Sequence, residues 1–407
     1  MSGRFDTLPG MKRRQALIAI VLSTTVSLIA AELALRAFSP RRTYLALTDA
    51  YPAMFDASDT LPYRLRPNYS GRLASSEFDT GITINAQGYR GAAFTAQKGD
   101  ARRLLVIGDS FTFGWGVNDD ETYPAVVERL LLSGSPPRRV EVINAGFAAC
   151  YSPDTYYLYL KNEGLALNPD AIVVGVFIGN DLDSENAFEN EWLETDAGGL
   201  PVRIRNAHTQ VLDHYWVPRR IPVRYRIPIA SRSHVFQGMV DIWWELAPKI
   251  KAWLPGVATI VYASSQDAPE DRVPYNYRFR YAERTESVFA RVKTLLRAMH
   301  RLASEKGIPI YFMVIPEQSQ LAPHVYAGLP ADVDKPQREL AAFFDAEGMN
   351  YLDLQPWLRE RGSLRRLYIP GDGHFTVEGN RLAAERLTAY LQQEWLSHEF
   401  GGSRLRP

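Results

Sequence analysis

The segment RRLLVIGDSFTFGWGV, residues 102–117, runs from an apolar stretch straight into Asp109 and Ser110. Far along the chain, IPGDGHFTVEGNRLAAERL, residues 369–387, holds Asp372 and His374 two positions apart. Serine, histidine and an acid are the parts of a nucleophilic relay. A serine hydroxyl is a poor nucleophile at neutral pH and needs an adjacent base. An imidazole can take its proton and return it to a leaving group, and a carboxylate can orient that imidazole and stabilise its cation. Two further stretches supply donors for a developing oxyanion: IGND, with Asn180 and Asp181, and NAGFAACYSP, residues 144–153. Each residue also has a plainer reading. Ser and Asp are common turn residues, Asn180 can cap a loop, and Asp109 and Asp181 can stabilise the turns that follow their strands.

The choice between these readings depends on the elements that carry the residues. Apolar runs at 103–108, 139–143, 171–177, 308–315 and 349–354 predict strands. Several are apolar throughout, as expected of strands buried on both faces of a parallel sheet. Amphipathic stretches at 122–133, 153–164, 282–306, 335–347 and 376–396 predict helices between them. Alternating strands and helices give right-handed βαβ units and a three-layer α/β/α fold with a central parallel sheet. Ligands in such sheets bind at the carboxyl ends of the strands. The candidate Ser, Asn, Asp and His all follow strands or lie in loops that this fold brings to that edge.

The flanks add limits. Among 407 residues, 46 are basic and 46 acidic, a balance that argues against a nucleic-acid binder. The single cysteine, Cys150, excludes an intramolecular disulfide and a Cys-rich zinc site, and sits as a small buried hydrophobe near the 144–153 loop. No second histidine stands at a ligand-like spacing from His374, so neither metal nor cofactor is expected. Residues 16–38 read as one transmembrane helix behind a short tail, 1–15, whose Lys12, Arg13 and Arg14 point to a cytoplasmic N-terminus. A cleaved signal peptide is the rival reading. No clean small-x-small cleavage site precedes Glu32, which favours the anchor. Glu32 and Arg36 interrupt the apolar run four residues apart, the spacing of a helical ion pair. Residues 43–100 form a lead-in of turns and short strands, and the main domain covers 101–397 with an insertion at 184–279. That insertion includes WVPRRIPVRYRIPIASR, residues 216–232, with five arginines and no acid. It is read either as a solvated cover or as a wall of the cleft or contact for an anionic polymer or lipid headgroups.

Four blocks in order, INAQGYRG aside, carry a resemblance: GDSFTFG, the 144–153 loop, GND and DGHFTVEG resemble the signature blocks of the GDSL/SGNH hydrolase superfamily. The anchor and the lead-in INAQGYRG resemble a bacterial, membrane-tethered branch of it. The resemblance covers about residues 80–182 and 280–397. It implies a flavodoxin-like sheet, a Ser110–His374–Asp372 triad, and an oxyanion hole from the Ser110 N–H, the Ala149 N–H and the Asn180 amide. Gly146 is the alternative to Ala149, because the family usually has a glycine in that block. The family often spaces acid and base D-x-x-H; the D-x-H of this chain is found in membrane-linked relatives. The implied activity is a membrane-anchored serine esterase acting on acyl, chiefly acetyl, esters of an envelope carbohydrate outside the cytoplasm. An O-acyltransferase on an extracytoplasmic polysaccharide, a lipase, and a non-catalytic scaffold of an export complex are the alternatives. The expected partners are an acylated carbohydrate or lipid substrate and the membrane, with no nucleic acid.

Overall fold

The structure, a computed structural model, describes residues 10–39, 54–74, 77–94, 98–134, 139–148, 151–182, 193–204, 232–239, 242, 273–322, 326–370 and 372–397. The chain divides into two units, one of residues 1–49 with 221–261 and one of residues 50–220 with 262–407.

In the first unit, helix α1 spans Gly10–Phe38. Its stretch Gln15–Phe38 has a mean hydropathy of 2.1 and is long and apolar enough to cross a membrane. Its apolar side chains are exposed rather than packed into a core, including Leu17, Ile20, Leu22 and Val26. Glu32 and Arg36 pair at 2.9 Å, as their spacing predicts.

The second unit begins with the lead-in. Strand β1 (Phe55–Asp56) pairs antiparallel with β2 (Arg64–Leu65), and β3 (Ser70–Ala74) with β4 (Asp79–Thr83). The main sheet then starts with β5 (Arg102–Gly108), which leads into a four-residue helix α2 (Ser110–Phe113), and α3 (Tyr123–Ser133) follows. After β6 (Val140–Gly146), α4 (Pro153–Asn162) and β7 (Ala171–Phe177) comes a small antiparallel pair, β8 (Leu193–Thr195) with β9 (Pro201–Ile204), within the insertion. The chain resumes with α5 (Glu283–Ser304), β10 (Ile310–Ile315), α6 (Lys335–Glu347) and β11 (Asn350–Asp353). Three helices close it: α7 (Gln355–Arg361), α8 (Leu364–Leu367) and α9 (Val377–Leu391).

Strands β5, β6, β7, β10 and β11 form one parallel sheet in the order β11-β10-β7-β5-β6. Each strand sends alternate side chains to opposite faces. Leu105, Ile107, Ile172, Val174, Phe312 and Val314 join a core with residues of α4, α5 and α6. Their neighbours Leu104, Val106, Val173, Met313 and Ile315 join a second core with α3, α7 and α9. This is the three-layer α/β/α fold expected from the sequence. The order is that of flavodoxin-like sheets, whose switch point lies between the first strand and the third, here β5 and β7. Ser110 and Asn180 leave the sheet on either side of that crevice.

The lead-in is joined to the nucleophile region through a buried cation. The Arg90 side chain is 1% exposed and pairs with Asp119 at 2.8 Å. Its guanidinium also donates to the carbonyls of Phe113, Gly114 and Val117 at 2.9, 2.6 and 2.6 Å. A planar five-donor fork suits this task, which a lysine cannot copy. Arg90→Ala would strand those acceptors and break a buried ion pair, so it is expected to cost about 3–5 kcal/mol. Arg90→Lys should recover only part of this. Chemical denaturation of the three proteins measures it, and wild-type stability in Arg90→Ala would refute the role.

Candidate active site

Ser110 is the first residue of α2, immediately beyond β5. Asp109 shapes this turn. Its Oδ1 accepts the Phe111 N–H at 2.9 Å, capping the helix, and its Oδ2 accepts from the Asn180 amide at 3.0 Å. Helix α2 lies directly on β6, because position 146 is glycine: a Cβ there would stand 2.0 Å from the Phe113 nitrogen. Any larger residue would push α2, and Ser110 with it, off the sheet.

The acid and base come from the loop between α8 and α9. Backbone bonds from Asp372 N and Gly373 N to the Ile369 carbonyl, and from Ile369 N to the His374 carbonyl, close it into a tight turn. Gly373 has φ +87°, in the left-handed region that favours glycine. This left-handed turn brings Asp372 and His374 together and lets the carboxylate meet the ring of the residue two positions on.

The three side chains form a continuous relay. Ser110 Oγ lies 2.7 Å from His374 Nε2, and His374 Nδ1 lies 2.6 Å from Asp372 Oδ1. The His374 and Asp372 side chains are 21% and 22% exposed, so the relay is sheltered but reachable. The other carboxylate oxygen, Asp372 Oδ2, accepts the Trp115 indole N–H at 3.1 Å. Phe111 and Trp115 lie against the imidazole, with ring centroids 4.9 and 5.9 Å away. Burial pushes the Asp372 carboxyl upward, but the His374 hydrogen bond and charge and the Trp115 N–H together outweigh it and hold the group below the usual carboxylate range. Asp372 is therefore charged where an imidazolium would need it.

Asn180 follows β7. Its amide nitrogen donates to Asp109, while its Oδ1 is buried and finds no hydrogen-bond partner among the described residues. The amide thus sits at the nucleophile's turn, within the crevice between β5 and β7. Asp181 stabilises the same loop: it accepts from the Phe177 N–H at 2.9 Å and the Tyr156 hydroxyl at 3.0 Å. Burial pushes the Asp109 and Asp181 carboxyls up, and the Asp109 charge adds to the effect at Asp181. Both have the turn-stabilising part expected of them.

The second-block donor is less complete. Ala149, and Cys150 beside it, lie outside the described residues. Gly146, the alternative to Ala149, has its N–H engaged with Asn144 Oδ1 at 2.9 Å. The Phe147 N–H bonds the Gly108 carbonyl at 3.1 Å. Sequence reasoning did not single out Trp115, Phe111 or Arg90 as parts of the site. Two of the three were nevertheless visible as the aromatic residues that follow the serine, and Arg90 as a cation within INAQGYRG.

The sheet order and the relay at its carboxyl edge are those that the resemblance to the GDSL/SGNH hydrolase superfamily implies. Residues 275–405, which contain the acid and base, match the family model for an SGNH hydrolase-like domain of acetyltransferase AlgX. Among solved structures, the lipase/acylhydrolase from Enterococcus faecalis aligns at 13% identity over 72% of this chain and 96% of its own, with a TM-score of 0.37. A member of the lipolytic protein G-D-S-L family from Veillonella parvula aligns at 13% identity over 73% of this chain and 99% of its own, with a TM-score of 0.36. Superpositions this loose add no weight to the assignment. No curated protein matches the chain.

Proposed function

We propose that the protein is a membrane-anchored serine enzyme that removes or transfers acyl groups, chiefly acetyl, carried as esters on an envelope carbohydrate outside the cytoplasm. The observation that carries this reading is the relay of 2.7 and 2.6 Å through Ser110, His374 and Asp372. In the first half-reaction the Ser110 hydroxyl attacks the ester carbonyl as its proton passes to His374 Nε2. The C–O bond to the sugar then breaks, the sugar oxygen takes the proton from His374, and the acyl group remains on Ser110. In the second half, His374 draws a proton from water or from another sugar hydroxyl, that oxygen attacks the acyl carbonyl, the C–O bond to Ser110 breaks, and the Ser110 oxygen takes the proton back from His374. Asp372 holds the imidazole in the tautomer that keeps Nε2 free to accept. The Ser110 N–H, the Asn180 amide and the Ala149 N–H are the proposed oxyanion donors.

Hydrolysis and transfer share the acyl-serine, and transfer is supported by the acetyltransferase-type family model over residues 275–405. A series of p-nitrophenyl esters of increasing chain length, given to the full-length protein in detergent with and without an acceptor polysaccharide, separates the readings. Acetyl preference is expected. Faster turnover with the polysaccharide, and recovery of acetyl on it, would identify transfer; a preference for long chains would replace this proposal by a lipase. Absence of turnover on every ester, with the protein folded, would favour a scaffold.

Asn180→Ala tests the oxyanion role separately. It removes one donor while leaving nucleophile and base in place, and the expected loss is on the order of 10²–10³ in kcat with little change in KM. A kcat within twofold of wild type would assign Asn180 to the loop alone.

A further inference from the structure

Glu32 lies on the part of α1 that is apolar enough to enter a membrane, yet its carboxylate has four partners. Arg36 Nε bonds it at 2.9 Å. The Ser233 hydroxyl, the His234 N–H and the Val235 N–H donate at 2.9, 3.0 and 2.9 Å. The last three come from the start of a helical turn at 234–239, some two hundred residues later in the chain and within the same structural unit. Glu32 therefore caps this segment and fixes it along α1. Val235, Phe236 and Met239 join Leu28, Ile29 and Leu33 of α1 in lining a mainly apolar cleft of about 600 Å³.

The depth of this contact follows from helix geometry. The uncharged run 16–31 is about 24 Å long at the α-helical rise, a little short of the ~30 Å hydrocarbon core. Glu32 begins the next turn, so it falls near the outer boundary of the hydrocarbon. An ionised carboxylate there is costly unless its hydrogen bonds are satisfied, and the 233–235 donors satisfy them. What they bring with them is apolar. Val235 and Met239 stand four residues apart, on one face of the turn at 234–239. Met239 is 63% exposed. The sequence just before, 216–232, has five arginines and no acid, a composition drawn to anionic headgroups.

We infer that residues 233–239 form a second membrane contact: a segment held on α1 by Glu32 that lies at the outer interface with Met239 among the acyl chains. The partner is the lipid bilayer itself. The inference rests on the reading of α1 as an uncleaved anchor, and the test separates the two. A diazirine-bearing amino acid is placed singly at position 22, 239 or 132 of the full-length protein. The protein is reconstituted in phosphatidylethanolamine–phosphatidylglycerol vesicles and irradiated. Leu22 lies within α1, and Leu132 is an exposed apolar residue of α3, 47% exposed. Lipid adducts at 22 and 239 but not at 132 are expected. Combining the position-239 probe with Glu32→Ala should remove most of its adduct, while the position-22 adduct persists. Adducts at 22 with none at 239 would overturn the inference and leave the anchor standing. No adduct at 22 would overturn the anchor reading and the inference with it. An undiminished adduct at 239 in Glu32→Ala would show that the carboxylate does not hold the segment.

Discussion

Ser110→Ala is expected to lower ester turnover by a factor on the order of 10⁶, leaving the fold intact. Residues that act as one unit lose most of their effect together. The double change Ser110→Ala with His374→Ala should therefore be little worse than Ser110→Ala alone. The geometry gives the reason: His374 Nε2 has Ser110 Oγ at 2.7 Å, and without that oxygen it has no proton to take. Steady-state rates on p-nitrophenyl acetate for wild type, both single variants and the double variant measure the coupling. Losses that multiply in the double variant would mean that Ser110 and His374 act independently, and the relay would not be the working unit.

The second large effect is expected at Asp372. Asp372→Asn keeps the shape of the side chain but replaces an acceptor oxygen with an amide, whichever way it is turned. The imidazole then loses the partner that fixes its tautomer and stabilises its cation, and kcat should fall by about 10⁴. The Trp115 N–H would also face a neutral amide in place of a carboxylate. The pH dependence has a definite sign. His374 and Trp115 hold the Asp372 carboxyl low against the upward push of burial. A depressed carboxyl contributes stability that is present above its unfolded value of ~3.9 and lost as pH falls through its folded value. Activity lost between neutral pH and about pH 5 is therefore not due to Asp372 taking up a proton. Far-ultraviolet circular dichroism together with kcat over pH checks both points. Full activity in Asp372→Asn would remove this residue from the mechanism.

The sequence made the sheet readable because its strands are continuous apolar runs. The expected strand 171–177 coincides with β7, 103–108 differs from β5 by one residue at its start, and 349–354 exceeds β11 by one residue at each end. At β6 the reading stopped early, at 143, because Asn144 looked like the start of a loop; the strand continues through Ala145 and Gly146, paired with β5. Helix α2 was not distinguished from a turn, since four residues show no period. The turn that pairs Asp372 with His374 was not legible, because a positive φ at Gly373 leaves no mark on hydropathy. Arg90 could not be placed from sequence: a buried arginine looks like a solvated one until the carbonyls around it are known. The second contact of Glu32 was hidden by its distance along the chain, although its pairing with Arg36 was legible as an i, i+4 step.

The most direct test of the central claim is to find where a serine-directed electrophile attaches. The folded full-length protein is treated with a fluorophosphonate, digested, and mapped by mass spectrometry. One adduct per chain is expected, on the peptide containing Ser110, formed more slowly in Asn180→Ala and absent in Ser110→Ala. An adduct on another serine, with Ser110 unmodified in active protein, would contradict the account.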